Sequence, residues 1–293
     1  MTAPPGVVRH PKYYFENGSY IFLVENTLYK LQHTILTTES VVFAQLFEIG
    51  SIGPPKTEGK SDENPILLER YTVQSFDLLI EFKYSCPRQA ADYSSEDLKR
   101  FLELICMLQC SNAIRDYITT CILQRPFIFH PSELIYFGTE YDIPPLLACG
   151  FTRLCEIPLI KIKKRHCLLM TSEVFAAYIQ VKTRLDKHRR MVAGEPPEMQ
   201  HSNDCQDLVA CSEDWRAVWW NGMGRLLLDA RNPHSYDDAL ERFKSLRFGR
   251  VTEACKLYMF DNVIDTDLPA YHSCIFVTRI KNDLVQKLFP HTE

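Results

Sequence analysis

His201, Cys205 and Cys211 are the residues whose types and spacing come nearest to metal chemistry. Imidazole and thiolate are donors that zinc accepts, usually as a set of four with a closely spaced cysteine pair among them. Here five residues separate the two cysteines, and no second pair follows. The expectation is a loop histidine beside helix-packing cysteines that act as small hydrophobes. No metal ligand is assigned. Gly222-Met223-Gly224 opens like a dinucleotide fingerprint, but Leu227 stands where the third glycine belongs and no strand frames it. A helix break after the tryptophan-bearing helix is the expectation there.

Two basic runs stand out, Lys161-Lys163-Lys164-Arg165 and Lys182 to Arg190. A nuclear signal or a phosphate-contacting face would use such runs; the solvated face of a helix is the expectation for both. Trp215 and Trp219 lie at i, i+4, a spacing that favours packing between helices. No Gly-x-Ser-x-Gly elbow, His-Glu-x-x-His pair or phosphate-binding loop occurs. The chain is therefore read as not an enzyme, with no catalytic residue, no cofactor-binding residue and no cofactor.

The elements that must position these residues follow from patterning. Tyr20-Ile21-Phe22-Leu23-Val24 is an apolar run of strand length, Glu25-Asn26-Thr27 is turn chemistry, and Leu28 to Leu31 returns. Ile35, Leu36, Val42, Phe43, Leu46 and Phe47 then share one face of a helix over residues 34–48. Gly50 to Pro65 reads as a solvated loop and Pro65 to Leu68 as a short strand. Val73, Phe76, Leu79 and Ile80 are helical, and Ser94 or Ser95 caps a helix faced by Leu98, Phe101, Leu102, Ile105 and Leu108. Ile114 to Ile122 forms the next helix. From Ser132 the pattern is mostly helical, with a linker at Gly194-Glu195-Pro196-Pro197 and a strand expected at Tyr271 to Thr278. Phe43, Leu46, Phe76, Leu79, Leu102 and Ile105 are the candidate core of the first part.

The 293 residues suffice for two modest domains. A hydrophobic share of 46% with 24% charged residues excludes global disorder, and a net charge of −4 supplies no field for nucleic acid or anionic lipid. Eleven scattered cysteines without framework spacing fit a reducing compartment. No secretory signal layout and no apolar run of roughly 20 residues is present. The expectation is an intracellular protein, in the cytoplasm or the nucleus, with no membrane partner and no nucleic-acid partner.

Residues 15–125 resemble a BTB/POZ domain. The resemblance rests on Leu28-Tyr29-Lys30-Leu31-Gln32-His33 followed by Leu36, Ser40 and Phe43, with serine and phenylalanine three residues apart. Asp62-Glu63-Asn64-Pro65-Ile66-Leu67-Leu68 then leads into Phe76-Asp77-Leu78-Leu79. Within that fold the chain is most similar to the expanded family of mushroom-forming (basidiomycete) fungi, on the loop Ser61-Asp62-Glu63-Asn64-Pro65-Ile66 and on Tyr141-Asp142-Ile143-Pro144. The histidine of the family pattern falls where Gln32 stands, next to His33.

The resemblance implies an α+β N-terminal BTB/POZ domain, a small sheet covered by helices, followed by a mostly α-helical C-terminal region. Four segments are expected: an extended tail at 1–14, the BTB/POZ domain at 15–125, a helical BACK-like region at 126–193 and a C-terminal helical region at 194–293. It also implies a protein–protein interaction adaptor that self-associates or binds a partner, with the C-terminal helices as client-binding region. The alternatives are a transcription-linked nuclear factor and a substrate adaptor of a cullin-type ubiquitin ligase. Cullin-binding members typically carry an apolar-x-Glu motif in the loop after the Phe-containing helix. Lys56 and Ser61 precede Glu58 and Glu63 in the loop, and Leu46-Phe47-Glu48 lies in the helix with Leu46 expected in the core. Cullin binding is therefore expected to be weak or absent. Any homodimer is expected not to be strand-swapped, because Pro4, Pro5, Gly6 and Pro11 interrupt the tail.

Overall fold

A computed structural model describes residues 6–51, 57–85, 88–229, 234, 236–264 and 273–290. The chain divides into two compact units, Met1–Phe129 and His130–Glu293.

The first unit is built on a hairpin. Strands β2 (Tyr20–Val24) and β3 (Thr27–Leu31) pair antiparallel with Val24 opposite Thr27. The two-residue connection puts Glu25 at φ 51°, the positive region that tight hairpin turns demand. Strand β4 (Ile66–Leu67) joins β2 in parallel, as the apolar run after Pro65 suggests. A fourth strand comes from the segment expected as a tail. Strand β1 (Val8–Tyr14) lies parallel to β3, giving the order β1-β3-β2-β4. Pro11 falls where the register shifts between Arg9 and Tyr14, so its missing N–H interrupts no regular ladder.

Side chains explain why this proline-bearing segment docks. Tyr13 is buried, and the His10 ring stacks on Tyr13 and Tyr29 at 4.8 and 4.9 Å. Arg9 donates to Asp62 from Nε at 2.8 Å and from Nη2 at 2.5 Å, and the Tyr14 hydroxyl donates to the other carboxylate oxygen. Asp62, expected in a solvated loop, is thus buried beneath β1. Burial opposes its charge, but the Tyr14 and Arg9 donors prevail and hold its carboxyl below the usual range.

Helices cover the sheet. The single helix expected over 34–48 is two, α1 (His33–Glu39) and α2 (Val41–Ser51), because Ser40 is extended at φ −136°, ψ 123°. Ser40 forms an isolated bridge with Cys110, so a tertiary contact breaks a helix that local patterning would continue. Helices α3 (Val73–Tyr84), α4 (Ser95–Met107) and α5 (Asn112–Gln124) complete the unit. Thr72 and Ser94 cap α3 and α4 through reciprocal bonds with Ser75 and Asp97. Five of the six candidate core residues are buried: Phe43, Phe76, Leu79, Leu102 and Ile105. Leu46 is not; it is 39% exposed.

The second unit is helical and has two apolar cores. Helices α6 (Pro131–Glu140) and α7 (Pro144–Glu156) form a close hairpin. Its turn is Tyr141-Asp142-Ile143, with Asp142 at φ 56° and Ile143 N donating to Gly138 O at 2.9 Å. A Cβ on Gly138 would sit 2.4 Å from the Leu147 nitrogen, so glycine permits the approach. After α8 (Lys164–Cys167), the long α9 (Ser172–Gly194) packs on α7. Residues 273–278, expected as part of a strand, belong to the helix α14 (Ser273–Leu288), which packs on α7 and α9. Ile280 and Leu284, one turn apart, are buried in that core beside the partly buried Val277. This helical stripe overrides the strand-like Ile275-Phe276-Val277. Tyr271 and His272 lie outside the described residues.

The second core gathers α10 (Leu208–Trp219), α11 (Arg225–Leu227), α12 (Tyr236–Lys244) and α13 (Glu253–Met259). Trp215 and Trp219 are fully buried in it, as their spacing suggests. Their Nε1 atoms donate to Pro197 O and Val192 O, both at 3.0 Å, which fastens the linker and the end of α9 to α10. No helix break follows. A π-helical turn, Trp220–Gly224, carries the chain from α10 into α11. Gly222 is glycine for packing, since a Cβ there would lie 2.4 Å from Leu246 Cδ1.

Candidate functional site

The first candidate surface is the outer face of α2, and Ser40 sets its frame. The Ser40 hydroxyl donates to Leu108 O at 2.5 Å and accepts from Phe43 N at 3.2 Å. It therefore caps α2 and ties it to the end of α4 at once. Phe43 and Phe47, one turn apart, point inward. Phe43 packs on Phe22 at 5.9 Å, and Phe47 on Tyr20 at 4.7 Å and His33 at 5.6 Å. Successive residues turn by about 100°, so Leu46 cannot share the direction of Phe47. Val41, Leu46 and Ile49 are exposed as a result.

Beside this face runs a groove of about 560 Å³, bordered by Thr37, Val41, Gln45, Gln109 and Ser111. Glu39 also borders it and is locked in place. It accepts from Ser111 Oγ at 2.7 Å and pairs with the Lys83 ammonium. Burial works against the Glu39 charge, but the Lys83 and Ser111 donors outweigh it and keep the carboxyl below its ordinary range. The α2 face is thus apolar at Val41, Leu46 and Ile49, and of the two carboxylates that border the groove, Glu39 and Glu48, Glu39 is held by a cation and a hydroxyl. Such a surface suits association with another protein.

The basic runs behave differently from each other. Lys161, Lys163, Lys164 and Arg165 are exposed, as expected of a solvated face. In the second run Lys182 and Arg189 are half-buried. Lys182 Nζ donates to Cys155 O at 2.6 Å, and burial pushes its pKa down to about 8. Burial likewise lowers that of Arg189. Both line a cavity of about 710 Å³ together with Glu156 and Asp186. The solvated-face expectation fails at these two positions because the helix carrying them is packed on more than one side.

The second candidate is a group of sulfur and nitrogen donors. The donor atoms of His201, Cys205, Cys211 and Cys255 all lie within 4.8 Å of one another. His201 and Cys205 stand on the irregular segment before α10, Cys211 in the first turns of α10, and Cys255 in α13. Read along the chain, only three donors stand together. The fourth comes from beyond α12, a distance no spacing rule spans. Cys205 Sγ is 3.4 Å from His201 Nδ1. Cys255 Sγ accepts from Ser202 N at 3.4 Å and lies 3.3 Å from Ser202 Oγ. Hydrogen bonds from Ser202, Thr252 and Cys205 overcome burial and hold the Cys255 thiol down at about 6, whereas burial pushes Cys211 up to about 12.

Compared with known families, residues 18–124 match the model of the BTB/POZ domain. Among curated proteins, none matches the chain. Among the described residues no helix is long and apolar enough to cross a membrane.

Proposed function

We propose, from the premise that residues 18–124 form a BTB/POZ domain, a protein–protein interaction module, that this protein is an interaction adaptor working through the α2 face. The exposed Val41, Leu46 and Ile49 beside the groove carry this reading. Association would remove apolar surface from water, the main drive for stable interfaces. An isologous pairing of two copies is the simplest closed assembly such a face can make. The second unit, with its own cores, is the natural carrier of a client.

The reading is tested by light scattering on the full chain and on a Leu46→Asp, Ile49→Asp double variant. A wild-type mass of two copies that falls to 34.1 kDa in the variant supports self-association through this face. If the wild type is monomeric, affinity capture with both proteins decides. Partners retained equally by the double variant would refute the α2 face as the interface.

A second reading, docking onto a cullin-type scaffold, gains support from one observation. Leu46-Phe47-Glu48 has the apolar-x-Glu form, and Leu46 is exposed where the core was expected. One ground for setting that motif aside, the burial of Leu46, is therefore gone, although the motif still lies within α2 and not in the loop after it. Calorimetry against a cullin N-terminal domain tests it: heat that disappears with Leu46→Asp supports the reading, and no heat from the wild type ends it.

A further inference from the structure

The donor group in the second unit is more than packed cysteine. We propose that His201, Cys205, Cys211 and Cys255 bind one zinc ion that staples the irregular segment 196–207 to helices α10 and α13. The site is structural and separate from the α2 face.

Geometry is the first support. Zinc takes sulfur at about 2.3 Å and imidazole nitrogen at about 2.0–2.1 Å in a tetrahedron. The corresponding edges are roughly 3.8 Å between sulfurs and roughly 3.5 Å between sulfur and nitrogen. The observed Cys205 Sγ to His201 Nδ1 separation is 3.4 Å, and no pair of donors exceeds 4.8 Å. One donor atom from each of four residues therefore already surrounds a common point. Small shifts of side chains close the tetrahedron. Three cysteines and one histidine fill it with no position left for substrate, which marks a structural rather than a catalytic site. Soft thiolates in a tetrahedral set also select zinc over hard oxygen-seeking cations.

The histidine tautomer is the second support. Ser212 Oγ donates to Leu208 O at 2.8 Å, so its proton is committed. Its lone pairs then face His201 Nε2 at 3.1 Å, which must donate. Nδ1 is left unprotonated and points at the cysteines. Fixing the outer ring N–H by hydrogen bonding is how metal-bound histidines are normally held. Ser202 plays a comparable part for Cys255, with its backbone N–H and hydroxyl beside the sulfur. Simple packing of cysteines requires none of these polar arrangements.

What the ion would do follows from the local fold. Residues 196–207 contain no helix or strand. Their attachments are scattered polar contacts, among them Trp215 Nε1 to Pro197 O at 3.0 Å, Gln200 N to Met259 Sδ at 3.1 Å, His201 Nε2 with Ser212 Oγ at 3.1 Å, the Ser202–Cys255 pair and the Asp207 cap on α10. A metal bond across this segment closes the edge of the tryptophan core. On binding, Zn²⁺ takes the three sulfurs as thiolates, and whatever thiol protons they still carry pass to solvent.

The test uses the full chain, purified with reductant and without chelator or metal-affinity steps. Elemental analysis is expected to find one zinc per chain, and Co²⁺ exchanged into it should give thiolate-to-cobalt absorption. Cys205→Ser and His201→Ala should lose the metal, Cys149→Ser should keep it, and His201→Cys should keep it with four sulfurs. That last variant separates loss of a ligand from loss of the fold. Ser212→Ala should weaken zinc by about 10–100-fold without abolishing it. A reduced wild-type chain that holds no zinc and takes up no Co²⁺ would overturn the proposal. So would mass spectrometry showing a disulfide among the three cysteines in place of metal.

Discussion

Replacing Ser40 by alanine tests how the first unit holds α2 in place. Ser40 is buried, and its hydroxyl makes two bonds that alanine cannot replace. Loss of the bond from Phe43 N is loss of an N-cap, typically about 1 kcal/mol. Loss of the donor to Leu108 O removes a partner from a buried carbonyl, worth about 1–3 kcal/mol. The two effects share one atom and are not fully additive, so about 2–3 kcal/mol is expected. In a unit of this size that lowers the melting temperature by about 6–12 °C. Urea unfolding of the full chain, followed by hydrogen exchange, locates the loss. Faster exchange should be confined to α1, α2 and the end of α4, with the second unit unchanged. A cost below about 0.5 kcal/mol, the range of an ordinary surface change, would show that the two bonds do not set the frame of α2.

Other outcomes follow from particular contacts. Phe43→Ala should cost about 3–5 kcal/mol by chemical denaturation, while Leu46→Ala, half in solvent, should cost under about 1 kcal/mol; equal losses would contradict the orientation of α2. Gly138→Ala forces a Cβ against the Leu147 backbone and should open the α6–α7 hairpin, lowering stability of the second unit by more than about 2 kcal/mol. His130 and His166 stack at 3.7 Å between ring centres, and burial first, then neighbouring positive charge, lowers the pKa of both. Neutral His130 also accepts from Ser132 N at 3.2 Å at the start of α6. Unfolded histidines titrate near pH 6.5, so the unfolded chain takes up protons first as pH falls. Stability of the second unit should be full above about pH 6.5 and decline below it. Unfolding midpoints of the wild type and of a His130→Asn, His166→Asn variant at pH 7.5 and 5.5 would check this, with a smaller decline in the variant.

Much of the fold was legible from local chemistry. The β2–β3 hairpin needed only an apolar run and a tight turn. The cap at Ser94 needed only serine followed by acids, and the burial of Trp215 and Trp219 only their i, i+4 spacing. Each depends on residues within one or two helical turns of each other, and the pattern in the chain is then the pattern in space. The BTB/POZ match over residues 18–124 agrees with the motifs around Ser40, Phe43 and Asp62.

Tertiary structure decided the rest. Nothing local says that Ser40 will bridge Cys110 and break a helix, or that Leu46 will turn outward as a consequence. Arg9 and Tyr14 find Asp62 across the loop and make a strand of a proline-bearing segment. The strand-like Ile275 to Val277 becomes helix because Ile280 and Leu284 bury against a core formed far earlier in the chain. Cys255 reaches His201, Cys205 and Cys211 only after α10, α12 and α13 have packed around the tryptophans. Sequence by itself determines contacts that close short loops and show as periodicity or capping. Contacts that close long loops leave no periodic trace, and only the packed chain, where burial outweighs local preference, reveals them.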